Sequence, residues 1–159
     1  MTNTKQLLMM AAGPAVIGVC IGLRSGSVLQ STLALPLTII GVSMLMTPAL
    51  YIGSAVIDAA PTLQETVSAM RHALGAMGLV FLGLAPALAF LVSSTSDIHT
   101  ADLVAHGALA IGVFVGLRTL FARAAWPAAR RAQAGLLFVL WSLLTIGIGS
   151  HLLHAQLGV

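Results

Sequence analysis

The chain is poor in almost everything that a soluble enzyme displays. Charged side chains make up 7% of its 159 residues, against roughly a quarter in an ordinary soluble domain. So few cannot coat a globule, and a water-soluble fold is excluded. There is one cysteine, Cys20, so neither an internal disulfide nor a cysteine-rich metal motif can form. Set in an apolar run, it reads as a small packing residue. Aromatic rings are scarce at 5%, and the basic residues form no stripe interleaved with rings; the net charge of +3 therefore does not indicate nucleic acid. Also missing are a glycine-rich phosphate loop, a Ser-His-Asp set within reach of one surface and a pair of carboxylates inside an apolar segment. Catalysis would need a bound cofactor, and no catalytic residue is assigned.

What the chain has in plenty is long apolar runs. Hydrophobic residues reach 58% and the mean hydropathy is +1.04, and the runs match the ~20 residues that cross a hydrocarbon core. Backbone polar groups must be satisfied internally in lipid, so each run is expected to be a helix. The expected fold is an all-α integral membrane protein, one bundle of five transmembrane helices over residues 1–159, with spans near 6–23, 30–57, 73–94, 101–121 and 134–154. An alternative keeps four spans and lays the first segment in the interface, because Gly13-Pro14 can bend it. The opening MTNTKQLLMMAAGPAVIGVC resembles a lipoprotein leader in outline, but VIGV before Cys20 is too bulky for a cleavage box. The first run is expected to stay as a helix.

Positive residues set the orientation. With the N-terminus cytoplasmic and the C-terminus outside, Lys5, Arg71, Arg118, Arg123, Arg130 and Arg131 are inside and Arg24 alone is outside. The location expected is multi-pass, in a bacterial inner (cytoplasmic) membrane. Segment two is longer than the bilayer requires and is expected to tilt, to kink at Pro36 or Pro48, or to project past the lipid. TLQE, from Thr62 to Glu65, has the form of a capping box and predicts a short cytoplasmic amphipathic helix over 62–72 that leads into segment three. The loop carrying Arg118, Arg123, Arg130 and Arg131 with Trp126 and Pro127 suits the headgroup zone, where it would orient the chain and meet anionic lipids. GPAVIG, TPALYIG and APALAF share Pro-Ala within a span, but their surroundings do not align, so they are read as common helix grammar rather than as repeats.

Three side-chain patterns bear on function. First, four of the five histidines fall near the outer ends of segments four and five. His99, Asp102 and His106 share one face; His151 and His154 stand one turn apart on a stripe with Gly147. Packed as an antiparallel hairpin, the two segments would bring them together. Imidazoles with a carboxylate suit a divalent metal, with Asp102 as ligand or as the group orienting His106. His106 and His151 would alternatively ligate haem b, with Gly107 and Gly147 making room for the ring. The simpler account is interfacial polar contact at wet helix ends. His106, about one turn inside, is the most informative member. His72 is expected to be solvated.

The second pattern is a polar stripe along segment two: Ser43, Thr47, Tyr51, Ser54 and Asp58. It reads first as hydroxyls bonded between helices or to their own backbone, and second as the wall of a hydrated path. The third is small-residue packing, with GxxxG at Gly18 and Gly22 and at Gly112 and Gly116, and further glycines in segment three. Flat helix faces with almost no extramembrane domain suit a chain held against copies of itself or other membrane subunits. The function expected is that of a non-catalytic membrane subunit. The alternatives are a metal- or haem-binding redox protein using the histidines, and a small solute or ion transporter lined by the second helix.

Overall fold

A computed structural model of the chain describes residues 3–95 and 97–157. Its elements are α1 (Asn3–Ser25), α2 (Val28–Val56), α3 (Leu63–Ser94), α4 (Ile98–Arg123), a single 3-10 turn (Ala128–Arg130) and α5 (Arg131–Leu157), with no strand among the described residues. Four of these helices are long and apolar enough to cross a membrane, and Met10–Leu23 of α1 forms a shorter apolar helix. The protein is therefore an all-helical, multi-pass membrane protein. Pro14, Pro36, Pro48 and Pro86 lie within helices that continue through them. Lipid allows this, because breaking a helix there would leave more backbone unsatisfied than one missing N–H does.

α3 begins on a reciprocal cap. The Glu65 backbone N–H donates to Thr62 Oγ1 at 3.2 Å, and the Thr62 N–H donates to Glu65 Oε2 at 2.8 Å. From this start the helix runs 32 residues, about 48 Å in length. That exceeds a hydrocarbon core of about 30 Å, so the helix is long enough to span with tilt or with turns to spare.

The packing is governed by where a side chain is missing. Gly26, at φ 74°, takes the left-handed conformation that reverses the chain after α1. α2 then returns against α1, the α2 backbone lying on Gly18 at Ser31 and Thr32 and on Gly22 at Val28. On its other side α1 meets α3, Gly13 resting on the backbone of Gly78. Pro14 and Ile17 are fully buried between these neighbours. The short first helix is thus packed lengthwise against both α2 and α3.

α4 and α5 do not form the antiparallel hairpin that their short loop suggests. α4 packs along α3, where the ring of Phe81 sits over Gly112 and Met77 lies against Gly116. α5 packs along α2, with Leu137 Cδ1 3.1 Å from where a Cβ on Gly53 would stand. The indole N–H of Trp141 also donates to the Met46 carbonyl at 2.8 Å, a buried bond between α5 and α2. α4 and α5 touch only slightly. Phe121 of α4 meets Phe138 of α5 at 5.2 Å between ring centroids, near the loop. Trp126 extends the ring series on the loop side at 6.1 Å from Phe121, and Trp141 extends it into the bundle at 5.8 Å from Phe138. Large side chains lie over glycines in both outer pairs, Phe81 on Gly112 and Leu137 on Gly53, whereas between α4 and α5 Phe121 comes within 3.9 Å of where a Cβ on Gly135 would stand, beside the loop.

Candidate functional site

The histidine set is split by the limits of the structure. The side chains of His99, Asp102 and His154 lie outside the described residues. His106 and His151 are described and both are exposed. Among the described residues no three His, Cys, Asp or Glu side chains are grouped so as to hold a metal. Gly107 and Gly147, beside His106 and along the stripe of His151, face open space. His72 is exposed on α3, and its Nδ1–H donates to the Ser68 carbonyl at 2.7 Å.

The hydroxyls of the α2 stripe turn inward on their own helix. Ser43 Oγ donates to the Ile39 carbonyl at 2.6 Å, Thr47 Oγ1 to the Ser43 carbonyl at 2.6 Å and Ser54 Oγ to the Tyr51 carbonyl at 2.8 Å. In an apolar solvent a hydroxyl without a partner is costly, and the nearest carbonyl one turn back is always available. Ser54 is buried, while Ser43, Thr47 and Tyr51 are half-buried. Asp58 is exposed beyond the end of the helix. Bonded this way, Ser43, Thr47 and Ser54 donate their hydroxyl protons within α2.

Two groups of helix glycines stand in contrast. Gly13, Gly18, Gly22, Gly112 and Gly116 are consumed inside the chain, each against a neighbouring helix. Gly41, Gly83, Gly107, Gly147 and Gly149 face open space. The GxxxG motifs that stand out in the sequence thus serve internal packing, and the glycines left facing outward belong to no such motif. Spacing gives only part of this division, because Gly13 belongs to no GxxxG motif and is nonetheless packed against the backbone of Gly78.

Of the arginine loop, Arg118, Arg123, Arg130 and Arg131 are all exposed, and Arg130 Nη1 donates to Gln133 Oε1 at 2.9 Å. Trp126 donates its indole N–H to the Phe121 carbonyl at 3.2 Å, which ties the loop to the end of α4. Two features escape sequence reading. Trp141 looks like one more lipid-facing residue in an apolar run; only the fold shows its buried bond to α2. Asp58, counted with the polar stripe, occupies the left-handed position that closes α2, at φ 52°. Its N–H donates to the Ala55 carbonyl at 3.1 Å and the Ala59 N–H donates to the Ser54 carbonyl at 2.9 Å, the paired bonds of a helix end that favours glycine at this place. Comparison of the chain with protein-family models, with curated proteins and with solved structures gives no match, so its own residues carry the functional assignment.

Proposed function

We propose that the chain is a non-catalytic membrane subunit. Five helices cross the bilayer with the N-terminus inside and the C-terminus outside, and the bundle associates with copies of itself or with other membrane chains. The observation that carries this is the set of outward glycines. Glycine weakens a helix by roughly 0.5–1 kcal/mol relative to alanine, and Gly41, Gly83, Gly107, Gly147 and Gly149 recover nothing for it within the chain. Small residues on an outer face let a second helix approach closely, which is how membrane helices associate without a hydrophobic gradient. α5 adds an apolar face, with Leu143 and Leu144 exposed. Support for the orientation comes from the six cationic residues that fall on one side and the single Arg24 on the other, as in a bacterial inner membrane. The lengthwise packing of α1 between α2 and α3 supports counting it as the fifth span.

The test is the mass of the purified particle in mild detergent, measured by light scattering and native mass spectrometry. A defined oligomer or a fixed set of co-purifying chains is expected, and Gly107→Leu with Gly147→Leu should dissociate it while leaving helix content intact. A stable monomer under those conditions would overturn the proposal. The outer-side histidines carry a second reading, in which exposed His106 of α4 or His151 of α5 holds a haem or divalent metal with a ligand from a second chain, since the two helices touch only slightly. An absorption spectrum and metal analysis of that preparation separate the two, since a Soret band or stoichiometric metal lost in His106→Ala belongs only to the second.

A further inference from the structure

Where α2 ends and α5 begins, the two helices leave a groove of about 440 Å³. Val56, Leu136, Leu137 and Leu140 form its apolar wall, and Asp58 and Arg130 bring opposite charges to it. Leu136 is 70% exposed and Val56 79% exposed, so the wall opens toward the surrounding lipid. The charges stand at the edge of the apolar helices, the depth at which phospholipid headgroups lie.

The electrostatics have a direction. α2 finishes here, so its negative dipole end adds to the Asp58 carboxylate. α5 starts here, so its positive end adds to the Arg130 guanidinium. Nη1 of Arg130 is bonded to Gln133, and the planar guanidinium keeps further N–H donors for a phosphate. Asp58 sits in a left-handed backbone position that glycine occupies with less strain. An acidic side chain also works against the dipole at a helix C-terminus. Glycine or asparagine would fill the same left-handed position without a charge, so the cap by itself does not call for a carboxylate, whereas a cationic ligand does.

We infer that this groove binds one phospholipid with a primary-amine, zwitterionic headgroup of the phosphatidylethanolamine type. Arg130 and the start of α5 hold the phosphate, Asp58 and the end of α2 accept hydrogen bonds from the ammonium, and an acyl chain lies along Leu136, Leu137 and Leu140. The complementarity distinguishes headgroups. A purely anionic lipid would satisfy Arg130 and be repelled by Asp58; a quaternary choline carries the same charge but has no N–H to donate. The site needs only the membrane setting, and it stands whether or not the chain forms an oligomer.

The experiment uses the full chain, delipidated in detergent and titrated with phosphatidylethanolamine, phosphatidylcholine or phosphatidylglycerol. Bound lipid is counted by native mass spectrometry and the unfolding temperature is followed in parallel. One phosphatidylethanolamine should be retained at least about tenfold more tightly than either competitor, the scale of a charge-assisted hydrogen bond, with a matching rise in unfolding temperature. Asp58→Gly should abolish the preference, and because glycine suits the backbone there, its unfolding temperature without lipid should equal or exceed that of the parent. Arg130→Gln should weaken all three lipids. Equal retention of the three lipids, tightest retention of phosphatidylglycerol, or an unchanged preference in Asp58→Gly would each overturn the assignment. So would a second copy of the chain cross-linking efficiently through Gln133→Cys, in a Cys20→Ser background, when no lipid is retained.

Discussion

At the scale of single residues, the sharpest contrasts are between side chains of the same type in different surroundings. A methyl group added at Gly112 runs into the buried ring of Phe81, whereas one added at Gly41 meets nothing. Gly112→Ala should therefore lower the stability of the detergent-solubilised chain by about 1–3 kcal/mol, the usual penalty for overpacking. Gly41→Ala should raise it by up to about 1 kcal/mol through helix propensity. Thermal unfolding of the two variants beside the parent checks both signs. Ser31 offers a second contrast. Its Oγ is buried with no hydrogen-bond partner, at the place where the α2 backbone rests on Gly18. Removing an unsatisfied hydroxyl is favourable, and Ser31→Ala should stabilise by about 1 kcal/mol. Thr47→Val, by comparison, deletes a hydroxyl that bonds only its own helix, and should change stability by no more than about 0.5 kcal/mol.

Among the helices, α5 packs along α2, and the buried indole of Trp141 makes a polar link between them. Trp141→Phe keeps an aromatic ring beside Phe138 and removes the donor to the Met46 carbonyl. The loss expected is about 1 kcal/mol. Cross-linking between cysteines placed on α2 and α5 should become less efficient in this variant, while pairs between α3 and α4 are unaffected. The start of α3 was legible in advance: TLQE names both partners of the capping box, because that motif is local and each residue reaches the other within one turn. The pairing of α4 and α5 was not legible. A short loop constrains where two helices start and end, but which faces meet is set by the fit of Phe81 over Gly112 and of Leu137 against Gly53, residues far apart in the chain.

For the molecule as a whole, the testable quantity is its disposition across the bilayer. With Cys20→Ser as background, cysteines introduced at Thr4, Ala60 and Ala129 should react with a membrane-impermeant thiol reagent only from the inner side, and one at Ser93 only from the outer side. Reaction at Thr4 from the outer side would reduce the spans to four and place α1 as a re-entrant or interfacial helix despite its packing. The outward glycines and the exposed leucines of α5 act at this same scale, since whether they meet lipid or another chain is decided by the assembly.

Composition alone determined that this is a helical membrane protein. With 7% charged residues and unbroken apolar runs of spanning length, lipid is the only solvent the chain can face, and such runs satisfy their backbone there as helices, since a barrel strand would alternate apolar and polar residues. Tertiary structure decided which glycines are spent inside the bundle, which of α2 and α4 receives α5, and that Asp58 and Arg130 face one groove. Those outcomes depend on shape matched between residues distant in sequence, and hydropathy, which every one of these helices shares, carries no record of such a match.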